Sequence, residues 1–307
     1  MYTLSHAKKR PSPMARKEAR VAYLCLIPAF FGLIFITYVP LLAVFVLSFF
    51  RWRGISAPVF NAGENFARLF LDDPYFMESI KITIYFSLLA VLGGMLYSLF
   101  VAMLLNRKVP ARGFFRAVFY LPYILPAIAV YIGWSWLYES NFGLFNYILS
   151  SLGIKKLLFI ADSKLVVPSL ALISVWLAGN LIVIFLAGLQ NVPRVYHEAA
   201  EIDGANAWNR FRHITVPCMS PIIFYNLLMS LITNMQVVTP AISLTNGGPG
   251  KSSMFMTFLM YRYAFQSNQL GYACAISFMF FVLVGIFTAI LFATSKGWIF
   301  YEGGDEK

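Results

Sequence analysis

Polar side chains interrupt two otherwise apolar stretches of the sequence at helical spacing. In the first stretch, four residues three or four positions apart share one helical face: Asn226, Ser230, Thr233 and Asn234. Gln236 lies at the edge of that face, and in the second stretch Trp176 and Asn180 are one turn apart. Uncharged amides beside an aromatic ring suit a neutral polyol, because hydroxyls need hydrogen-bond partners and sugar rings present apolar faces. Hydrogen bonds between helices, worth about 0.6 kcal/mol each, are the alternative for the first stretch.

Two short motifs come close to catalytic signatures but lack a required residue. Gly250–Ser252 resembles the end of a phosphate-binding loop, which also needs a glycine at position 245, where this chain has threonine. His197–Glu201 resembles the beginning of a zinc-protease motif, which needs a second histidine four residues after the first. The sequence therefore predicts a non-catalytic chain with no ATP site, no metal site and no cofactor.

The segment Leu189–Pro217 predicts two short helices joined by a glycine. Pro193 can occupy the first turn of a helix, because its missing amide hydrogen is not needed there. Gly204 suits the left-handed residue that often ends a helix. Asn206 is a suitable cap for a second helix that continues through His213.

The first of these helices has two unlike sides. Val195, Ala199 and Ile202 recur at helical spacing on one side, whereas Glu198 and Glu201 face another. One interpretation is an amphipathic helix that lies on lipid headgroups. Acidic side chains would be repelled by an anionic leaflet, so the pattern favours a docking surface for a cytosolic partner.

The elements that must position these residues are membrane helices. Apolar residues make up 60% of the 307 residues and charged residues 12%, against about 25% charged in a soluble domain. Six uncharged stretches can each supply the roughly 20 apolar residues that cross about 30 Å of hydrocarbon: Val21–Phe50, Ile82–Asn106, Ala117–Tyr138, Leu165–Pro193, Ile214–Gly250 and Tyr263–Ser295. Backbone amides in lipid must bond within a helix or a closed barrel. The sequence thus predicts an all-α integral membrane protein with six transmembrane helices.

The placement of lysine and arginine predicts the orientation of these spans. Fifteen basic residues fall before the first span, after the last span, or in connections on that same side, and nine fall on the opposite side. We therefore expect a multi-pass protein of the cell membrane (the cytoplasmic, or inner, membrane) with both termini in the cytoplasm. Topology and contact with anionic membrane lipid account for the net charge of +11, so no nucleic-acid partner is predicted.

The interiors of the predicted spans contain no charged residue. A charge at that depth costs about 2.5–3.5 kcal/mol on insertion scales, so it is usually kept for function, as in proton-coupled carriers. Its absence argues against a proton-driven secondary carrier, and no catalytic pair indicates an intramembrane enzyme. The energy for any transport must come from another chain, so we expect this chain to be a subunit.

A set of residues in the cytoplasmic segment resembles the "EAA" loop of ATP-binding-cassette importer permeases. The matching residues are Glu198, Ala199, Ala200, Asp203, Gly204, Ala205, Phe211, Ile214 and Pro217. The stretches Leu244–Pro249, Tyr261–Phe265 and Gly271–Ala273 are similar to the carbohydrate-uptake branch of that family. The resemblance covers roughly residues 20 to 300, and the chain is similar to the permeases of maltose and multiple-sugar transporters.

The resemblance implies a type I importer permease core with cytoplasmic coupling helices. It implies three kinds of protein partner: a second permease subunit, two cytosolic ATP-binding-cassette ATPases and an extracytoplasmic solute-binding protein. In such importers ATP-driven closure of the ATPase dimer pulls the coupling loops, and the permease halves rock between inward- and outward-facing states. The implied ATPase-coupling residues are Glu198, Ala199, Ala200, Asp203, Gly204, Phe211 and Pro217.

The predicted function is half of the translocation pathway for a mono- or oligosaccharide, with ATP hydrolysis by the partner subunits. An importer of glycerol phosphate or another small solute is the alternative, and a secondary carrier is a more distant one. The expected organisation along the chain has four parts: a basic cytoplasmic tail at 1–20, the first span and an external loop at 21–79, a five-span core at 80–295 that contains the coupling loop 189–217, and a cytoplasmic tail at 296–307. A short helix is expected in the external loop near Asn65–Phe70.

Overall fold

A computed structural model describes residues 13–107, 110–295 and 297–300 of the chain. Most of the two predicted tails, at residues 1–12, 296 and 301–307, lies outside the described residues. The last part of the predicted N-terminal tail, residues 13–20, is helical and continues into the first span.

Helices form nearly all the regular structure of the described ranges. The α-helices are α1 (Pro13–Gly32), α2 (Val39–Leu47), α3 (Glu64–Leu71), α4 (Phe76–Asn106), α5 (Arg112–Ile124), α6 (Ala127–Leu137), α7 (Leu144–Ser151), α8 (Val166–Trp176), α9 (Gly179–Asn191), α10 (Arg194–Ile202), α11 (Ala207–Arg210), α12 (Val216–Cys218), α13 (Ser220–Met235), α14 (Met256–Tyr261) and α15 (Leu270–Ser295). Shorter π-helical segments adjoin or connect them at Leu33–Tyr38, Phe211–Thr215, Ala241–Thr245 and Arg262–Gln266. Two antiparallel strands, β1 (Phe50–Arg51) and β2 (Val59–Phe60), pair in the loop after α2.

Three helices are long and apolar enough to cross a membrane alone: Arg20–Leu47, α4 and α15. Three pairs of helices qualify only together, with bends of 98° between α5 and α6, 49° between α8 and α9, and 68° between Ala207–Cys218 and α13. The described part of the chain therefore has six spans if each bent pair counts as one. Pro126 stands at the sharpest break, where its missing amide hydrogen and fixed φ prevent the helix from continuing.

Helix α4 is the centre of the fold. It packs against α8, α9, α13 and α14, and the largest side chains of the main core include Phe76, Phe86, Phe255 and Phe258. Because lipid tails are as apolar as these side chains, close van der Waals packing holds the helices together in the membrane. A glycine allows close helix packing at one such contact: a Cβ on Gly179 would lie 2.9 Å from the carbonyl oxygen of Phe119. At this contact the break between α8 and α9 packs directly on α5.

The chain after α13 folds back into the core, which corrects one predicted boundary. The sequence predicts a span over Ile214–Gly250, but α13 ends at Met235. The following residues then bury Ala241, Phe255 and Met256 completely in the main core. Apolarity alone suggested that residues 236–250 could belong to the span, whereas they leave the helix and bury Ala241 inside the protein.

A polar cluster joins the predicted external elements. The predicted short helix of the loop is confirmed as α3, and Asp73 after it accepts hydrogen bonds from Tyr263 Oη (2.9 Å) and Tyr272 Oη (2.6 Å). The guanidinium of Arg68 on α3 lies 4.1 Å from the centre of the Tyr272 ring. Burial and then the Asp73 carboxylate raise the pKa of Tyr263 to about 12. The cluster thus fastens α3 and the start of α4 to the beginning of α15.

The first span lies at the periphery of the fold. The apolar window within Arg20–Leu47 has no buried residue. The helical contact of this span with the rest of the chain is through α2, which packs on α15. Phe45 of α2 and Phe278 of α15 mark that contact, with ring centres 4.9 Å apart.

Candidate functional site

A cavity of about 480 Å³ lies between α13, α9, α6 and α4. Six of the seven residues predicted from the sequence to contact substrate line it: Asn180, Asn226, Ser230, Thr233, Asn234 and Gln236. Four come from α13, whose residues three and four apart share one face. The N-terminal end of α9 contributes Asn180, and Gln236 follows directly after α13. Residues chosen by sequence spacing therefore line one cavity, and their contact with a substrate stays a prediction.

Asn226 is the most unusual residue of that wall. Its side chain is 1% exposed, and neither its amide nitrogen nor its amide oxygen has a hydrogen-bond partner. A buried polar group without a partner costs about 1–3 kcal/mol. Water or a polar solute that reached the amide from the cavity would recover this energy.

The hydrogen bonds of Asn234 bear on the alternative of bonding between helices. Its Nδ2 donates to the carbonyl oxygen of Ser230 at 2.8 Å and to the Ser230 hydroxyl at 3.2 Å. Both bonds stay within α13, so this pair does not join two helices. They fix the amide of Asn234 on the cavity side of α13, about two turns from the unpaired amide of Asn226.

Several lining residues were not found from the sequence: Tyr123, Tyr131, Ser174, Tyr225 and Thr239. Tyr131 is 5% exposed and shares a hydrogen bond with Ser174 across α6 and α8. The tyrosines at 123 and 131 flank the 98° break at Pro126. Periodicity could not relate them, because a helix break changes which face points inward.

Trp176, the seventh predicted residue, does not line the cavity. It ends α8, and its ring packs edge-on against Trp134 of α6 with 5.6 Å between ring centres. Its side chain is 36% exposed in the single chain. The indole therefore supports the wall formed by α6 and α8.

The cavity lining contains no aspartate, glutamate, lysine, arginine or histidine. Its polar groups are amides and hydroxyls, with tyrosine rings beside them. Such a surface donates and accepts hydrogen bonds without a net charge to attract an ion. It is suited to an uncharged solute rich in hydroxyl groups.

The predicted two-helix segment forms a second candidate site. Helices α10 and α11 are joined through Gly204, whose φ of +77° confirms the predicted left-handed residue. The Ala205 amide donates to the carbonyl oxygen of Ala200 at 2.8 Å, which ends α10. The side chain of Asn206 accepts from the Asn209 amide at 2.8 Å, which confirms the predicted cap of α11.

The coupling residues predicted from the sequence are mostly at the surface. Glu198, Ala199, Asp203 and Gly204 are exposed, and no residue of α10 is buried. Three of the predicted residues are half-buried: Ala200, Phe211 and Pro217. The segment thus stands away from the helix core.

Large apolar side chains of the segment are exposed beside the acidic ones. Ile202 is 88% exposed, Val195 68% and Trp208 65%. An ion pair between Arg210 and Glu201 joins the second helix to the first and sets their relative position. An exposed apolar patch rimmed by charge is typical of a protein-binding surface.

The second helix of the segment leads directly into α13, which lines the cavity. Residues Ala207–Cys218 form one continuous helical stretch, and its junction with α13 is bent by 68°. Pro217 lies within α12, two residues before Met219 at that bend. A displacement of the segment can therefore reach the polar face of α13 through a single bend.

Comparisons with known proteins agree with this architecture. The model of the family described as "Binding-protein-dependent transport system inner membrane component" matches residues 94–298. The "Probable ABC transporter permease protein YesP" of Bacillus subtilis is 36% identical over 97% of this chain and 97% of its own length. The "Multiple sugar-binding transport system permease protein MsmF" of Streptococcus mutans is 32% identical over 84% of this chain and 89% of its own length.

A solved structure shares the fold. It is a chain of a bacterial ABC transporter involved in the import of the acidic polysaccharide alginate, with a TM-score of 0.78 and 22% identity. The match covers 91% of this chain and 96% of that one. The predicted type I importer permease fold is thereby confirmed.

Proposed function

The chain belongs to the family of binding-protein-dependent transport system inner membrane components, and from this premise we propose that it forms half of the translocation pathway of an ATP-driven sugar importer. It is a multi-pass protein of the inner membrane. The proposed partners are a second permease subunit, two cytosolic ATPases and an extracytoplasmic solute-binding protein. In this proposal the chain makes and breaks no bond, and ATP is hydrolysed by the partner subunits.

One observation supports a sugar as the substrate class. Polar, uncharged side chains converge on one cavity, and the buried amide of Asn226 there has no hydrogen-bond partner. A sugar hydroxyl can both donate to and accept from that amide. The name of the relative MsmF, a multiple sugar-binding transport system permease protein, supports the same substrate class.

The absence of charge in the cavity lining weighs against the two alternatives. A glycerol phosphate pathway would need cationic side chains, because phosphate binds most strongly through charge-assisted hydrogen bonds. A proton-coupled carrier would need titratable groups along the pathway. The lining of this cavity offers neither.

We assign the ATPase contact to the exposed α10–α11 segment. Glu198, Asp203 and the neighbouring alanines would seat in a cleft of the ATPase, with Gly204 allowing the turn between the helices. The exposed side chains of Val195 and Ile202 provide apolar area for a partner to cover. Phe211 and Pro217 would carry the motion into α13 and the cavity.

We further propose that both termini and the coupling segment lie in the cytoplasm. In a six-span chain, the connection between the fourth and fifth spans lies on the same side as the N-terminus. The larger share of lysine and arginine on that side supports the orientation. The proposed four-part division of the chain, with the core at 80–295, follows from the same topology.

Uptake by the complete importer, reconstituted with its solute-binding protein, tests the substrate pathway. We expect Asn226→Leu to lower uptake about two- to tenfold, which corresponds to one lost hydrogen bond of about 0.5–1.5 kcal/mol. Asn61→Leu is the matched control, because the amide of Asn61 is also unpaired but lies in the loop before α3 and outside the cavity. Assembly and basal ATP hydrolysis should stay unchanged in both variants. Normal uptake by Asn226→Leu would show that the Asn226 side chain serves packing alone. It would remove the main support for a sugar pathway through this cavity.

A further inference from the structure

A second and smaller cavity, of about 170 Å³, opens on a different side of α9 from the proposed sugar cavity. Its lining, which we call the α9 groove, is Leu105, Arg116, Tyr120, Gly179, Ile182, Val183, Leu186, Ala187 and Gln190. The sugar cavity instead uses Asn180, Leu181 and Ile184 of the same helix. A rotation of about 100° per residue along α9 separates the two sets. The α9 groove therefore faces away from the proposed pathway.

The α9 groove runs inward from one end of the helices. Leu105 and Gln190 are the penultimate residues of α4 and α9, and Arg116 is in the second turn of α5. The coupling segment leaves the helix core three residues after Gln190. From Gln190, the α9 wall continues inward to Gly179 over about 16 Å, at 1.5 Å per residue. In the proposed topology, this places the mouth of the groove near the lipid headgroups and its wall beside the acyl chains.

Arg116 at the mouth has one guanidinium donor without an acceptor among the described residues. Its Nε is buried and has no partner among the described residues. No acidic side chain lines the groove, and the polar groups beside the guanidinium are those of Tyr120 and Gln190. A buried guanidinium donor is most strongly satisfied by a carboxylate or a phosphate oxygen. The groove therefore has an unfilled place for an oxyanion.

We propose that the α9 groove binds the phosphate group of an anionic phospholipid, with Arg116 as the main donor. The apolar wall distinguishes a lipid from free phosphate, because Val183 is 46% exposed and Ala187 is exposed beside it. An acyl chain would cover these side chains, whereas an inorganic anion would leave them open. Basic pockets between membrane helices on the cytoplasmic side are suited to such headgroups. The inference does not depend on which solute the importer carries.

Retention of lipid by the purified complete importer tests the proposal. The importer is reconstituted with an equal mixture of phosphatidylglycerol and phosphatidylcholine, and bound lipids are counted by native mass spectrometry. We expect phosphatidylglycerol to be retained over phosphatidylcholine, and Arg116→Gln to reduce that retention about tenfold. Arg112→Gln is the matched control, because Arg112 bonds the carbonyl oxygen of Arg107 and does not line the groove. It should change retention less than about twofold.

Ala187→Trp provides an independent test that keeps the charge of Arg116. The indole fills the apolar wall, so phosphatidylglycerol should be lost even though the guanidinium remains. Equal phosphatidylglycerol retention by Arg116→Gln and the wild type would overturn the proposal. Displacement of the lipid by excess inorganic phosphate would overturn it in favour of a free-anion site. Loss of ATPase subunits, with lipid retention unchanged, would identify Arg116 as a protein contact and would also overturn it.

Discussion

Gly204→Val isolates the coupling segment from the membrane core. Gly204 joins α10 to α11 at a φ of +77°, and a Cβ built on it would meet no atom within 4 Å. Space is open around the added Cβ, so we expect backbone strain to be the main cost of the substitution. Because the residue is exposed and far from the buried clusters, the spans should insert and pack normally.

The strain can be estimated from the conformation. A left-handed residue with a side chain costs about 1–2 kcal/mol, and a β-branched residue is a genuine outlier there. If the backbone relaxes to avoid the strain, it breaks the bonds that end α10, from Ala205 N to Ala200 O (2.8 Å) and from Gly204 N to Glu201 O (3.0 Å). A change of one or two kcal/mol corresponds to a factor of about 5–30 in the population of the intact segment.

We expect Gly204→Val to reduce recovery of the ATPase subunits and uptake by about this factor, at a normal membrane level of the permease. Pull-down of the ATPase, immunoblotting of membranes and uptake by the complete importer measure the three quantities. Gly153→Val is the matched control, because Gly153 has a φ of +75° and equally open surroundings in another loop. Gly204→Asn should be milder, since asparagine tolerates the left-handed region. Full ATPase recovery and normal uptake by Gly204→Val, or an equal loss in Gly153→Val, would refute the coupling role.

Three further predictions follow from the orientation, the ion pair and the external cluster. A cysteine at position 112 should react with a membrane-impermeant thiol reagent only from the cytoplasm and one at position 57 only from outside; the reverse pattern would overturn the topology. Arg210→Glu should weaken ATPase binding by repelling Glu201, and the exchanged pair Arg210→Glu with Glu201→Arg should restore it; no recovery would mean that their ion pair does not set the helix geometry. Folding raises the pKa of Tyr263 from about 10 to about 12. The stability that its protonated phenol contributes is therefore fully present below about pH 10 and is lost as pH rises through about 12. The difference in unfolding temperature between wild type and Tyr263→Phe should therefore shrink above about pH 10, and a difference independent of pH would contradict this reasoning.

Much of the site was predictable because it depends on local spacing. Residues three and four apart on α13 form a face in any straight helix, so the polar wall from Asn226 to Asn234 could be found without a structure. Gly204 and Asn206 were predictable for a similar reason, since a left-handed turn and a side-chain cap depend on neighbouring residues. The predicted features that the structure confirms are those set within one or two helical turns.

Other features depend on contacts between residues distant in the sequence. Tyr131 reaches the cavity only because the chain bends by 98° before it, and no periodic pattern specifies the direction of a bend. The apolar residues around Ala241 fit a membrane span as well as a protein core by composition, and only their packing in the main core distinguishes the two. Trp176 was placed in the pathway by its spacing from Asn180, but the α8–α9 break lies between them. Breaks and long-range contacts therefore account for these differences.

The peripheral position of the first span has a consequence for biosynthesis. Phe45 in this span meets Phe278 of the last span. At translation rates of about 5–20 residues per second, the last span is completed roughly 12–50 seconds after the first. During that interval the first span lies in the bilayer without α15, the helix on which it packs. Its freedom from buried contacts makes this delay harmless, because lipid can solvate the helix alone. Docking of the first span on the last can therefore be the closing step of assembly, and a ribosome stalled before the last helix would leave the first span free in the membrane.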